Sequence, residues 1–144
     1  MKICAIICEY NPFHNGHLYH LGAAKQTTGA DFVVCIMSGN FVQRGIPAIT
    51  DKYKRCRAAV DSGVNLVVEL PLFYAVSSAE IFAAGAVATL NALNASFISF
   101  GCENADIQML KKIAITLVNE PDEYKKHLKK ALTCGDSFPT ARAK

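Results

Sequence analysis

The chain has no tryptophan, no Cys-x-x-Cys pair and no uninterrupted apolar run of membrane-spanning length. Each absence removes a class of protein. Without paired cysteines at zinc-finger spacing, Cys4, Cys8, Cys35, Cys56, Cys102 and Cys134 do not read as a structural zinc site. Cys4, Cys8 and Cys35 lie inside apolar runs, so buried, reduced thiols acting as small hydrophobes are expected. The apolar stretch from Phe82 to Leu93 is broken by Gly85, Thr89 and Asn91. It falls short of the roughly 18 apolar residues that a membrane helix needs. The apolar start at Met1 to Cys8 runs directly into Glu9 and Tyr10 with no small-residue cleavage site, which argues against a signal peptide. Excess charge is scarce as well. A formal net charge of +3 permits an anionic partner without demanding nucleic acid. What remains is 144 residues, 51% hydrophobic and 19% charged, enough for one packed domain in the cytoplasm and not a disordered chain.

Short apolar runs alternate with longer stretches of helical period. Ile3 to Cys8, Phe32 to Met37, Leu66 to Leu70 and Phe97 to Phe100 are too short for helices and continuously apolar, as in parallel strands covered on both faces. A first helix is expected from Asn15 to a terminal Gly29, and a second from an Asp51 N-cap to a point before Gly63. A third opens with Ser77 and Glu80 at capping-box spacing. A fourth spans Asp106 to Val118, and a fifth opens at Pro121. The order β-α-β-α-β-α-β-α-α implies a parallel sheet with right-handed crossovers, a Rossmann-like three-layer α/β/α sandwich. The domain is expected over residues 1–134. The tail 135–144 has turn chemistry without periodicity and reads as the start of a further segment.

In such sheets ligands gather at the carboxyl ends of the strands. The first of these ends carries Glu9-Tyr10-Asn11-Pro12-Phe13-His14-Asn15-Gly16-His17. Pro12 stiffens the loop, and Gly16 removes a side chain where the backbone would approach a ligand. The free N–H groups and positive dipole end of the following helix make an anion site. His14 and His17 add donors to a phosphate oxygen there, a constellation that stabilises a phosphoryl group during displacement. The plain alternative is a pair of helix-surface histidines. Zinc ligation by His14, His17 and His20 is disfavoured, since no acidic or thiol ligand stands at suitable spacing.

Two further strand ends are candidates. Ser38-Gly39-Asn40-Phe41-Val42-Gln43-Arg44-Gly45 reads as a substrate or nucleotide loop, against a solvated loop. Gly101-Cys102-Glu103 offers a glycine where a base or ribose could approach, against a simple turn. Lys111, Lys112, Lys125, Lys126, Lys129 and Lys130 form a basic face that reads first as solvated and second as a contact to RNA phosphates.

The His-x-Gly-His string after a first strand resembles the HIGH-type nucleotidyltransferase superfamily. Five blocks in order narrow the likeness: Cys8 to His17, Met37 to Gly45, Val68-Glu69-Leu70-Pro71, Ser78-Ala79-Glu80 and Phe100 to Glu103. Together they resemble the tRNA(Met) cytidine acetate ligase family along essentially the whole chain. The resemblance implies that acetate and ATP form acetyl-adenylate with release of pyrophosphate. The acetyl group then passes to N4 of the wobble cytidine of elongator tRNA(Met). It implies ATP, with Mg2+, at Ile7, Cys8, Glu9, Tyr10, Asn11, Pro12, Phe13, His14, Asn15, Gly16, His17, Leu18, Tyr19, His20 and Gly101, with His14 and His17 catalytic. Members continue well beyond this length, and Ser137 to Arg142 looks like the opening of a family segment. The alternatives are another adenylyltransferase of the superfamily, serving NAD or CoA synthesis, and a nucleotide-binding module without catalysis. Against the first, Glu9 and Tyr10 stand where mononucleotide adenylyltransferases usually carry Gly and Phe.

Overall fold

The structure, a computed structural model, describes residues 1–103 and 106–143; Asn104, Ala105 and Lys144, the last in the expected tail, lie outside it. The chain divides into two compact units, Met1–Gly101 and Cys102–Lys144. That division falls inside the span 1–134 read above as one domain.

The first unit is built on four parallel strands, β1 (Ile3–Cys8), β2 (Phe32–Ser38), β3 (Leu66–Leu70) and β4 (Phe97–Ser99), in the order β3-β2-β1-β4. Helices α1 (Asn15–Thr28), α2 (Lys52–Asp61), α3 (Leu72–Ala75) and α4 (Ala79–Ala92) connect them. Because side chains alternate along a strand, the sheet feeds two cores. Cys4, Ile6, Val33, Cys35 and Met37 pack with Leu21 and Ala24 of α1 and Ala59 of α2. Ile3, Ala5, Val34 and Ile36 pack on the opposite face with Ala75 of α3 and Ala86 and Leu90 of α4. The result is the expected three-layer arrangement.

Most helix ends follow their chemistry. Gly29 adopts the left-handed conformation past α1, and the Asp51 carboxylate accepts the Lys54 N–H at the start of α2. At α4 the expected cap shifts by one residue. Ser78 caps the helix, while the Ser77 hydroxyl donates back to the Phe73 carbonyl of the short α3, an element with no periodicity long enough to read in the sequence. The three-residue turn at Gln43–Gly45 is too short to read in the same way. Continuous apolarity in β4 does not mean cover on both faces. As an edge strand, it leaves Phe97 and Ile98 exposed.

The second unit holds three helices, α5 (Ile107–Asn119), α6 (Asp122–Thr133) and α7 (Phe138–Ala143). Asp106 caps α5, and Asp122 and Glu123 occupy the first turn of α6, where carboxylates oppose the positive helix end. The expected irregular tail is instead partly helical. The Ser137 hydroxyl accepts the Thr140 N–H, which gives α7 a cap that a search for long periodicity does not register. None of the six cysteines forms a disulfide. Cys4 and Cys35 are buried as expected and Cys8 half-buried, as is Cys56, whereas Cys102 and Cys134 are exposed. Those two follow a strand end and a helix end and lie in no core strand.

Candidate functional site

The strand order fixes where a ligand can enter. From β1 the chain moves one way to β2 and β3, and β4 then returns to the other side of β1. Loops leaving the carboxyl ends of β1 and β4 therefore part company, and a crevice opens between them. A cleft of about 540 Å³ lies there. Of the residues expected at the nucleotide, Ile7, Cys8, Glu9, Tyr10, Asn11, Pro12, His14, His17, His20 and Gly101 line it. Ile6 and Phe100 join them, flanking residues that strand alternation could have suggested. Asn15, Leu18 and Tyr19 instead border a separate shallow groove along α1. Phe13 and Gly16 line neither, since Phe13 packs edge-on to Tyr10 with ring centroids 4.8 Å apart.

The mouth of the cleft is the amino end of α1, and its cap is unusual. His14 takes the role normally given to Ser, Thr, Asp or Asn. Its Nδ1 accepts the Gly16 N–H at 3.1 Å, and Nδ1 of His17 accepts the His14 N–H at 3.3 Å. The two imidazoles stack with centroids 3.7 Å apart. A ring nitrogen that accepts cannot carry the proton, so each neutral ring holds it on Nε2. The cap thus fixes one tautomer in both rings and leaves two Nε2–H donors for a ligand. Burial, then the neighbouring His14 and His20, holds the His17 pKa below its ordinary value, which keeps that ring neutral. His20 bonds to the Ser99 hydroxyl at 2.9 Å and ties α1 to the end of β4. Gly16 also serves the cap. A Cβ there would stand 2.9 Å from His14 Cε1, so the glycine makes room for the imidazole.

Beneath the histidines lie two groups, the buried Tyr10 and the half-buried Cys8, that carry no charge. Tyr10 takes a φ of 47°, and its hydroxyl meets the Cys35 sulfur at 3.3 Å. Burial pushes both the Tyr10 hydroxyl and the Cys8 thiol up, so both stay protonated. The neighbouring loop is tied in by side chains. The Gln43 N–H donates to Glu9 Oε1 and the Ile49 N–H to Asn11 Oδ1, each at 2.7 Å. Arg44 is exposed on that loop and does not line the cleft.

The residue that sequence reasoning missed is Arg55. It is 1% exposed, and its guanidinium donates to the carbonyls of Glu9, Ser38, Gly39 and Thr50. It thereby clamps the carboxyl ends of β1 and β2 from below. Five donors in a rigid fork suit Arg to several carbonyls at once. Helical spacing carried a signal: Arg55 sits four residues before the buried Ala59, on the inward face of a helix whose Lys54, Arg57 and Asp61 are exposed.

The profile of the HIGH Nucleotidyl Transferase family matches residues 1–144. The tRNA(Met) cytidine acetate ligase of Caldicellulosiruptor saccharolyticus is 57% identical over 142 residues, 99% of this chain and 36% of that protein. That of Clostridium novyi is 54% identical over 145 residues, 100% of this chain and 36% of that protein. The crystal structure of Thermotoga maritima TmcAL bound with alpha-thio ATP superposes with a TM-score of 0.91 at 47% identity, covering 99% of this chain and 34% of that one. The chain therefore spans about a third of the length of these relatives.

Proposed function

Because the chain belongs to the HIGH nucleotidyl transferase family, we propose that it is the nucleotide-activating part of a tRNA(Met) cytidine acetate ligase acting in the cytoplasm. The observation that carries this reading is the pair of Nε2–H donors which the His14–His17 cap aims outward at a strand-end cleft. The names of the relatives and the ATP analogue in the Thermotoga protein support it.

ATP lies with its phosphates at the amino end of α1, where free N–H groups and the helix dipole favour anions. A carboxylate oxygen of acetate attacks the α-phosphorus, the bond to the β-phosphate oxygen breaks, and pyrophosphate leaves. His14 and His17 donate hydrogen bonds to the charge that develops on the phosphoryl oxygens, and need no proton transfer of their own. The cytidine N4 then attacks the carbonyl carbon of acetyl-adenylate. AMP departs, and the amine proton passes to solvent. Acetate must be activated first because an exocyclic cytosine amine is a weak nucleophile. Among the described residues, no group of three or more His, Cys, Asp or Glu stands together to hold a metal. A Mg2+ that accompanies ATP would neutralise charge on its phosphates.

The test is exchange of labelled pyrophosphate into ATP by the complete gene product. Acetate stimulates exchange, and His14→Ala or His17→Ala lowers it roughly 100-fold, the usual cost of one transition-state donor. Stimulation by nicotinamide mononucleotide or phosphopantetheine instead of acetate points to cofactor synthesis. No exchange with any of them points to a module that binds without catalysis.

A further inference from the structure

Beside the cleft, at the carboxyl ends of β2 and β3 and the start of α2, lies a second cavity of about 200 Å³. Strand register sets the two apart. Cys8 of the cleft pairs with Met37, and Met37 pairs with Glu69, both of the second cavity. Two strand spacings separate Cys8 from Glu69, roughly 10 Å. The cavity is smaller than the roughly 300–1,000 Å³ of most ligand sites, which suits a single ring more than a nucleotide.

Its walls include the apolar Met37 and Val67, and its polar groups are few. Lys52 Nζ and Glu69 Oε2 stand 2.6 Å apart, so the pair offers donors and an acceptor with no net charge. The Ser38 hydroxyl is fully buried with no hydrogen-bond partner among the described residues. Tyr53 lines the cavity too and is 74% exposed, with Lys52 Nζ over one face of its ring, 5.5 Å from the centroid. Gly39 leaves Glu69 its place, since a Cβ there would collide with Glu69 Oε1.

An anion suits this cavity poorly, because Glu69 already matches the charge of Lys52 and a second carboxylate would face the first. A flat neutral ring with a donor beside an acceptor suits it well. Resting on the acetate-ligase reading above, we propose that this cavity receives the unstacked cytosine of the RNA substrate. The N4 amine donates to Glu69, N3 accepts from Lys52, and the ring lies on Tyr53. Carboxylates accept from cytosine N4 in base recognition, and unstacked RNA bases commonly rest on aromatic rings. Uracil would turn its O4 carbonyl toward the same carboxylate, so Glu69 selects cytosine over uracil.

The test uses the complete gene product and anticodon stem-loop RNAs with cytidine or uridine at the wobble position. Acetate-dependent exchange is measured first in the wild type, and its absence overturns the reading on which the proposal rests. With exchange present, the wild type binds the cytidine RNA roughly tenfold more tightly than the uridine RNA. Glu69→Gln removes that preference, whereas Tyr53→Ala weakens both RNAs alike and keeps it. A folded Glu69→Gln protein that retains the preference, or a wild type without one, overturns the proposal. If Glu69→Gln does not fold, Gly39→Ala, which crowds the carboxylate out of place, serves the same reading.

Discussion

The long helices of the two units differ in what they bury. In Met1–Gly101, α1 buries Leu21 and Ala24, α2 buries Arg55 and Ala59, and α4 buries Ala86 and Leu90. In Cys102–Lys144, neither α5 nor α6 buries a residue, and Ile113, Ile115 and Val118 of α5 stand exposed. Helical period thus says that a stripe of apolar residues can form a face, and leaves open whether that face is covered. The strand-end cleft and the smaller cavity beside it both lie in the first unit, where a rigid sheet holds the loops that form them.

The sharpest way to break this contrast is Arg55→Met. Without the guanidinium, the carbonyls of Glu9, Ser38, Gly39 and Thr50 lose a shared donor beneath the site. The expected cost is roughly 3 kcal/mol of stability, read as a lowered midpoint in denaturant unfolding. Val118→Ser on the exposed side of α5 should stay within about 0.5 kcal/mol in the same experiment. Equal costs for the two would erase the distinction between the units.

A smaller effect comes from pH. The folded-state pKa of His17 is depressed, so the unfolded chain takes up its proton first. The stability contributed by the neutral ring is full above about pH 6.5 and is lost as pH falls through the lower folded-state value. Protonation would also cost Nδ1 its bond from the His14 N–H. Thermal melts from about pH 8 to about pH 5 should therefore show a steeper loss for the wild type than for His17→Gln. Parallel curves would mean that the ring is not held neutral by its surroundings.

The smallest effect is expected in the second unit. Lys125, Lys126, Lys129 and Lys130 are all exposed on α6. Replacing the four with Glu weakens tRNA binding and spares ATP binding, if this face meets phosphates. The salt dependence of binding then falls by about one unit of logarithmic slope for each phosphate no longer neutralised. An unchanged slope would make it a solvated face.

Much of this was legible in the sequence because each signal was local. The strand runs, Gly29, Asp51, and the placement of His14-Asn15-Gly16-His17 after the first strand are read within a few residues. What escaped depends on groups far apart in the chain. Arg55 matters through carbonyls up to 46 residues away, and the pairing of Lys52 with Glu69 joins a helix start to a strand end. Leu18 and Tyr19 belong to the nucleotide segment that the family resemblance implies, yet they border a groove apart from the cleft, since a helix turns successive residues to different sides. The Ser77–Ser78 choice was undecidable locally, because both are good caps and only the short α3 occupies one of them.

The central claim is that the His14–His17 cap at the β1–β4 crevice holds the phosphates of ATP. Titration calorimetry of ATP into this 144-residue chain and into its His14→Ala, His17→Ala double variant tests it most directly. The account predicts weak but measurable binding by the wild type and none by a folded double variant. Equal binding by both, or no binding by the wild type at high protein concentration, would contradict it.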